Sequence, residues 1–466
     1  MKRIFNIPAT LLELRAQVAT LAGGKKLLAK SVHWDKVCWL LDKLGNTQYY
    51  DKRTNVDSYV AIKKEKLRSI CGKVYADHML EVLLENNIIE TTGSYQAGAS
   101  SKSYRLTETH RYAKKVCVFN QDSKFLTKLL LADLTTDGDK YLREAIQNDL
   151  GFRYEDLLAD LSLPVATPSY DGLNFELNTE ADLAAWNEHL TALHPHLAGL
   201  SPKLQSLVQS AGRIYTKQFF AHRDTKGGRL HTNVTNLATE GRQYLALAGQ
   251  TELVNTDIPA SQLVFACVPL LKHFNNVPPD DVNDWIALCT SDDAYERLHL
   301  EMYRMHFDEC SANYRCIEDE EEARYYYRKD FKSKFFASIY YSELRFNIGP
   351  LATPESLFMW ERFPSVMQWV VGQKQDDYTK FACNMQKAES DFVIDTFGYQ
   401  AMRWMLPTVT IHDSALVPAK FGRDVLQYFQ EWLDGQLQVT NAKVKIKAQP
   451  LSEAARLILE ETYQLF

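Results

Sequence analysis

The sequence contains no CxxC pair, no internal repeat and no low-complexity segment. Eight cysteines are scattered along 466 residues, and the spacing of His306, Cys310 and Cys316 matches no common zinc pattern. Free buried thiols account for this distribution better than a metal site does. We therefore expect a chain without structural zinc, in a reducing compartment.

Long apolar runs are also lacking. None approaches the length of about 20 residues that crosses a bilayer. Glu13 and Arg15 interrupt the apolar part of the N-terminus, which argues against a signal peptide. These absences predict a cytoplasmic protein, and a prior of about 150 residues per domain predicts two to four domains.

Charge of one sign is concentrated in one part of the chain. The net charge is −6, yet residues 24–118 contain 17 Lys/Arg and 10 Asp/Glu, a net charge of +7. Residues 1–23 add +2, so the remainder carries −15. A basic module before an acidic body is typical of local polyanion binding, although a solvated surface would give the same counts.

The basic region has the pattern of a winged helix, which we place at residues 32–117 after an N-terminal segment, 1–31. WDKVCWLLDKLG predicts a helix, YVAIKKEKLRSICG a short strand and a helix, and YADHMLEVLLENN a further helix. IIETTGSY and KSYRL predict a hairpin. This order indicates DNA or RNA contact, with protein contact as the alternative. Candidate phosphate contacts are Lys63, Lys64, Lys66, Arg68, Lys73, Lys102 and Arg105.

Residues 118–202 predict a helical connector or thumb-like region, including a helix in EADLAAWNEHLTALH. The region contains no DxE pair in a strand context, so no proofreading exonuclease is expected. Residues 203–466 then form the remaining domain, where the chemistry is expected.

Two isolated carboxylates follow or end predicted strands in that domain. In TVTIHDSALVPA, His412 and Asp413 lie between two strand patterns, and in LVNTDIPASQLVF, Asp257 ends a short strand before a helix from Ser261. An Asp at a hairpin tip is by itself an ordinary turn residue. Two such carboxylates can share a pair of Mg²⁺ ions for phosphoryl transfer, since magnesium needs few protein ligands beside substrate phosphates.

A helix with cations at regular spacing supplies partners for a triphosphate. In YYYRKDFKSKFFASIYYSELRF, a spacing of four residues places four side chains near one α-helical face, and these are Arg328, Lys332, Phe336 and Tyr340. Cations bind phosphates, and aromatic rings offer a surface to a base or sugar.

These three segments resemble motifs A, B and C of family A DNA polymerases and the related phage single-subunit RNA polymerases. The order is the family's: Asp257, then the R-x3-K-x3-F-x3-Y helix, then HD at 412–413. GGRLHTNVTNLATEGR resembles the segment before motif A, and FACNMQKAESDFV the helix before motif C, with Asn384, Gln386 and Asp391 at the matching positions. The resemblance covers about residues 227–418.

The resemblance implies roles for these residues. Asp257 and Asp413 would be the catalytic metal ligands for two Mg²⁺ ions, with Mn²⁺ as a substitute. The other residues divide into two groups. Nucleotide contacts would be Arg328, Lys332, Phe336, Tyr340 and Gln262. Contacts to the primer-template would be Arg229, Arg242, Gln386 and His412, although His412 is equally explained as a turn residue.

The sequence departs from the family in two places. Tyr341 stands where the family has glycine after the motif B tyrosine, so the end of that helix should differ. In motif A, DIPASQ places Gln262 or Val264 at the position that selects the sugar. Either bulky residue favours dNTPs, whereas IHDS resembles the RNA polymerase form, so the choice of sugar stays open.

The expected fold is α+β, a winged helix followed by the palm and fingers of a right-hand polymerase. The expected function is that of a compact DNA polymerase without proofreading, acting on primer-template DNA and dNTPs, with a phage or mobile element as a candidate setting. One alternative is a primase or RNA polymerase that uses rNTPs. The other is a DNA-binding replication initiator or regulator with an inactive core.

Overall fold

The structure is a computed structural model in which 10 stretches and one single position are described. These are residues 4–12, 31–47, 57–92, 102–122, 124–125, 134, 136–165, 172–291, 293–305, 331–437 and 446–464. The chain divides between two units. The first comprises Met1–Leu134, Arg143–His222 and His231–Thr251, and the second comprises Thr135–Leu142, Arg223–Leu230 and Glu252–Phe466.

The N-terminal part of the first unit has the predicted sequence of elements. Its helices are Ser31–Asn46, Lys64–Cys71 and Lys73–Glu85, and its strands are β2 (Val60–Ala61), β3 (Ile89–Thr91) and β4 (Ser103–Leu106). The strands form an antiparallel sheet in the order β2-β4-β3. Gly72, at a φ of 92°, allows the sharp break between the second and third helices.

An additional strand from the N-terminal segment extends this part of the structure. β1 (Ile4–Pro8) pairs antiparallel with β5 (Lys115–Phe119). Phe5, Ile7 and Leu11 are buried in the same apolar core as Trp34 and Leu83. Residues 4–12 therefore share one hydrophobic core with the described helices and strands of the N-terminal module.

The rest of the first unit is mainly helical. β6 (Leu150–Phe152) pairs with β9 (Leu245–Leu247), which the sequence patterns did not predict. The predicted helix in EADLAAWNEHLTALH is confirmed as Glu180–Leu197, with Thr179 and Asp182 forming a capping box at its start. The other helices are Glu108–Arg111, Tyr154–Asp160, Pro202–Tyr215, Asn233–Asn236 and the 3₁₀ helix Thr239–Tyr244, while the helix Asp137–Asp149 has its first residues in the second unit. β7 (Ala221–Arg223) and β8 (Leu230–Thr232) lie where the chain passes between units.

A four-stranded antiparallel sheet forms the base of the second unit, in the order β11-β12-β10-β13. Its strands are β10 (Leu253–Asp257), β11 (Val409–Ile411), β12 (Ser414–Pro418) and β13 (Lys447–Pro450). β12 is buried along its whole length, because the largely apolar run SALVP packs into the core. The strands predicted in LVNTD, TVTI and ALVP are thus confirmed.

Helices supply most of the remaining core of the second unit. The predicted apolar helix after Asp257 is confirmed as Ser261–His273. The other α-helices are Asp280–Cys289, Ala294–Met305, Pro354–Arg362, Pro364–Lys374, Tyr378–Ser390, Gly398–Trp404, Gly422–Leu437 and Glu453–Gln464. Two π-helical segments are Phe336–Tyr341 and Asp391–Phe397, and short 3₁₀ turns are Leu344–Phe346, Gly349–Leu351 and Ala419–Phe421. Within the described ranges, no helix has the length and apolar character required to traverse a bilayer.

Candidate active site

The register of the sheet brings the two predicted aspartates together. β10 and β12 run antiparallel with Asp257 opposite Ser414, so Asp413, one residue before β12, lies next to the end of β10. On the other side of β10, Lys447 of β13 lies opposite Asp257. Backbone pairing alone therefore places two carboxylates and one cation near the same end of the sheet.

A two-residue turn between β11 and β12 presents Asp413. Ile411 pairs with Ser414, which leaves His412 and Asp413 as the turn residues. His412 takes a left-handed φ of 57°, a conformation that costs a non-glycine residue on the order of 1 kcal/mol. The hairpin predicted from the sequence is confirmed, and its strained position directly precedes the candidate metal ligand.

The electrostatics of the pair show that the two carboxylates interact. Burial raises the pKa of Asp257 to about 6, and the negative charge of Asp413 adds to this effect. Lys332 and Lys447 act in the opposite direction on the same pKa. The two carboxylates thus lie in a partly desolvated position, and Lys332 and Lys447 are close enough to affect the pKa of Asp257.

A third carboxylate, Glu389, is buried beside this pair. The guanidinium of Arg229 donates from Nε and NH2 to Glu389 Oε1, at 3.1 and 2.7 Å. The hydroxyl of Ser261 lies 3.0 Å from Glu389 Oε2 and 2.6 Å from Asp413 Oδ2. Burial raises the pKa of Glu389, and the Arg229 guanidinium counteracts this.

The donor set fits a magnesium ion that shares its ligands with a substrate. Across the described stretches, no group of three or more His, Cys, Asp or Glu is arranged to hold a metal by itself. Mg²⁺ in phosphoryl-transfer sites commonly uses one or two carboxylates and completes its shell with phosphates and water. Asp257 and Asp413 match that requirement, since they are two interacting carboxylates at the end of a rigid sheet.

The predicted motif B helix differs from a regular α-helix. Residues 331–335 are α-helical, but Phe336–Tyr341 is a π-helix, in which hydrogen bonds span five residues instead of four. A spacing of four still keeps neighbouring side chains on one side of the segment, since the ring centroids of Phe336 and Tyr340 lie 5.1 Å apart. Lys332 is exposed, whereas Phe336 and Tyr340 are buried in the core. The rings of Phe336 and Tyr340 thus lie side by side as expected, but in the core, and Arg328 lies outside the described residues.

Tyr341 is the exposed ring at the end of this π-helix, with 44% of its surface accessible. Its hydroxyl accepts a hydrogen bond from Gln386 Nε2 at 3.3 Å. Gln386 also packs against Gly227, where an added Cβ would lie 2.7 Å from Gln386 Oε1. Gln386, on the helix Tyr378–Ser390, thus contacts both Gly227 and the end of the π-helix.

The remaining predicted residues of the second unit have varied surroundings. Asn384 is exposed, and Asp391 lies 3.4 Å from Arg223 in an ion pair. Of the two candidates for sugar selection, Val264 is fully buried in the core while Gln262 is partly exposed. Gln262 is therefore the one that a ligand can reach. Arg242 belongs to the first unit, and its role stays a prediction.

The basic residues of the N-terminal module are partly neutralised. Arg68 binds both oxygens of Asp77 through Nε and NH2, and Arg105 donates to Glu90. Lys63 and Lys102 are exposed, and Ile62 N donates to Lys102 O, which sets them close together. Lys64 is also near Asp77, Lys73 is exposed, and the side chain of Lys66 is outside the described set. Nucleic-acid contact by this module stays a prediction.

Sequence patterns missed the site roles of Glu389, Ser261 and Lys447, although Glu389 and Lys447 each left a signal. Phe381, Met385 and Glu389 recur every four residues, so Glu389 occupies the next position of a buried helical face. A carboxylate at such a position is rarely buried without a partner. Lys447 lies in KVKIKA, whose alternation of Lys with Val and Ile is typical of a strand.

Comparisons with known proteins give a weak likeness to solved structures. Neither a protein-family model nor a curated protein matches the sequence. Among solved structures, the chain is similar to the POL domain of Pol1 from M. smegmatis, determined in complex with DNA primer-template and dNTP. The identity is 13%, the match covers 70% of this chain and 71% of that chain, and the TM-score is 0.40.

Proposed function

We propose that the chain is a template-directed nucleotidyltransferase, most simply a DNA polymerase that extends a primer 3′ end with dNTPs. The observation that supports this proposal is the pair of Asp257 and Asp413 at the end of neighbouring strands. Lys332 and Lys447 act on the same carboxylate. Paired carboxylates with nearby cations suit phosphoryl transfer, which depends on positioning and charge stabilisation.

Each residue of the site has a separate role in the proposed reaction. Asp257 and Asp413 would hold divalent cations, which supply Lewis-acid activation of the 3′-hydroxyl and stabilise the charge of the triphosphate. Lys332, exposed on its helix, binds the triphosphate and neutralises charge on the departing pyrophosphate. The bond from the 3′-oxygen to the α-phosphorus forms while the bond to pyrophosphate breaks. Arg229 orients the nucleic-acid backbone, and Gln262 contacts the sugar.

Extension of a labelled primer-template by the purified chain with Mg²⁺ tests the proposal. We expect Asp257→Asn and Asp413→Asn each to lower incorporation by about 10²–10³-fold or more, the scale found when one charge-stabilising group is removed. Asp376→Asn, which changes an exposed aspartate, is the matched control and should retain activity. Tight DNA binding without incorporation by the wild type would instead favour an initiator with an inactive core.

The same assay distinguishes the two enzyme candidates. Parallel reactions with dNTPs and rNTPs, with and without a primer, measure sugar choice and primer requirement. Because Gln262 is the accessible one of the two candidates for sugar selection, we expect Gln262→Ala to raise rNTP use relative to dNTP use. The relevant measure is the ratio of kcat/KM for a matched dNTP and rNTP pair, and an unchanged ratio would remove Gln262 from this role.

A further inference from the structure

Four side chains form a continuous polar chain across the candidate active site. Arg229 binds Glu389, Glu389 lies against Ser261, and Ser261 reaches Asp413, with all heavy-atom separations between 2.6 and 3.1 Å. This series of linked side chains begins at Arg229, a candidate nucleic-acid contact, and ends at Asp413, a candidate metal ligand. All four residues belong to the second unit.

The two middle residues of this series, Glu389 and Ser261, are shielded from solvent. Glu389 has 0% exposure and Ser261 has 6%. Ala260, at a left-handed φ of 51°, turns the backbone so that Ser261 begins its helix at this point. A buried carboxylate that loses a charged partner is costly, so Glu389 needs both the Arg229 guanidinium and a hydrogen-bond donor.

Ser261 has one hydroxyl hydrogen for two carboxylates. A hydroxyl donates a single hydrogen bond, whereas Glu389 Oε2 and Asp413 Oδ2 are both within its reach. The shorter distance, 2.6 Å, is to Asp413. When the hydrogen is turned to Asp413, it occupies an oxygen that a cation would use. When it is turned to Glu389, that oxygen is released.

We infer that Glu389 is a positioning residue that couples nucleic-acid contact at Arg229 to cation binding at Asp413, with the Ser261 hydroxyl as the shared link. When the Arg229 guanidinium binds a phosphate, its hydrogen bonds to Glu389 weaken. Glu389 then takes the Ser261 hydrogen, and Asp413 is left with a full carboxylate for the cation. This inference rests on the proposed function, since it assigns Arg229 and Asp413 their partners.

Linkage makes the coupling measurable in both directions, because an effect of nucleic acid on cation affinity equals the reverse effect. The probe is Mn²⁺, whose free concentration is read by electron paramagnetic resonance. Titrations use the full chain with and without saturating primer-template, after subtraction of Mn²⁺ bound by the DNA alone. For the wild type, we expect primer-template to tighten Mn²⁺ binding.

The variants Ser261→Ala and Glu389→Gln should each reduce this tightening by about threefold or more, the scale of one hydrogen bond. Ser261→Thr retains a hydroxyl and should restore it. Glu355→Gln is the matched control, because Glu355 is also buried and accepts from a serine, Ser338 Oγ at 2.8 Å. A merely structural role would lower thermal stability while leaving the coupling intact.

The outcomes separate this inference from the function on which it rests. Incorporation and Mn²⁺ binding by the wild type, with equal tightening in Ser261→Ala and Glu389→Gln, would overturn the coupling alone. No Mn²⁺ binding and no incorporation by the wild type would overturn both. If Ser261→Ala does not fold, Glu389→Gln is compared with Glu355→Gln. The coupling is supported only if primer-template tightens Mn²⁺ binding less in Glu389→Gln than in Glu355→Gln.

Discussion

At the scale of single residues, Lys374 is a lysine buried where charge is costly, with 2% exposure. Its ammonium donates to the backbone carbonyls of Ile339 and Ser342 and to Asn347 Oδ1. Ile339 is part of the π-helix that carries Phe336 and Tyr340. Lys374 therefore binds carbonyls at the end of that π-helix, which otherwise would lack donors.

This burial predicts a pH dependence of stability. Burial lowers the pKa of Lys374 from 10.5 to about 8. Between these values the unfolded chain binds the proton and the folded chain does not, so the contribution of Lys374 to the free energy of unfolding rises with pH. We expect the wild type to gain stability relative to Lys374→Met between pH 8 and pH 10, by up to about 3 kcal/mol.

Urea unfolding at several pH values measures this difference, in which titrations common to both proteins cancel. Lys380→Met, a change at an exposed lysine, should keep a constant difference from the wild type. A wild type that loses stability relative to Lys374→Met as pH rises would contradict the assignment.

At the scale of elements, an arginine holds the second π-helix against the start of a helix. Arg223 binds both oxygens of Asp395 at 2.7 Å and lies 3.3 Å from Asp139, which is fully buried. The backbones approach closely at Gly138, where an added Cβ would lie 2.1 Å from Ile394 O. Only glycine permits this approach without displacement of the Asp391–Phe397 segment.

Removal of the guanidinium should therefore destabilise the second unit. We expect Arg223→Met to lower the free energy of unfolding by about 3–5 kcal/mol, because Asp139 would stay buried without this charged partner. The stability of Arg223→Lys should lie between those of Arg223→Met and the wild type. Lysine keeps the positive charge but lacks the planar guanidinium that binds two oxygens at once. Denaturant unfolding measures both, with Arg345→Met at an exposed ion pair as control. A loss below 1 kcal/mol would show that the network is not needed for stability.

At the scale of the whole molecule, the positive charge of residues 24–118 contrasts with the acidic remainder. Within the N-terminal module, the outward face of the helix Lys73–Glu85 includes Asp77 and Glu81, and Asp77 holds Arg68. Exposed Lys63 and Lys102 lie instead beside the hairpin. If the module binds nucleic acid, its phosphate contacts are expected there.

The double variant Lys63→Ala/Lys102→Ala tests this expectation. Each lysine that contacts a phosphate adds about 0.9 to the slope of log affinity against log salt, so the double variant should lose up to about two from that slope. Incorporation at saturating primer-template should be unchanged. Lys124→Ala/Lys203→Ala, two exposed lysines elsewhere in the first unit, should keep the wild-type slope. An unaltered slope in the first variant would favour protein contact by the module.

The sequence by itself determined the features that depend on local pattern. Turn residues between two apolar runs predicted the β11–β12 hairpin with Asp413 at its tip, and Asp257 was placed at a strand end. The helices and hairpin of the N-terminal module were predicted for the same reason, since periodicity and turn chemistry act over a few residues.

Only the tertiary structure decided which distant residues meet. The pairing of Asp257 with Ser414 and Lys447 depends on strand register, which is set by the packing of the whole sheet. The π-helix at Phe336–Tyr341 also escaped prediction, because Lys374, 35 residues beyond Ile339, and the nearer Asn347 bind its carbonyls. Glu389 reads as one more polar residue on a helix until folding buries it between Arg229 and Ser261, where burial makes each hydrogen bond necessary.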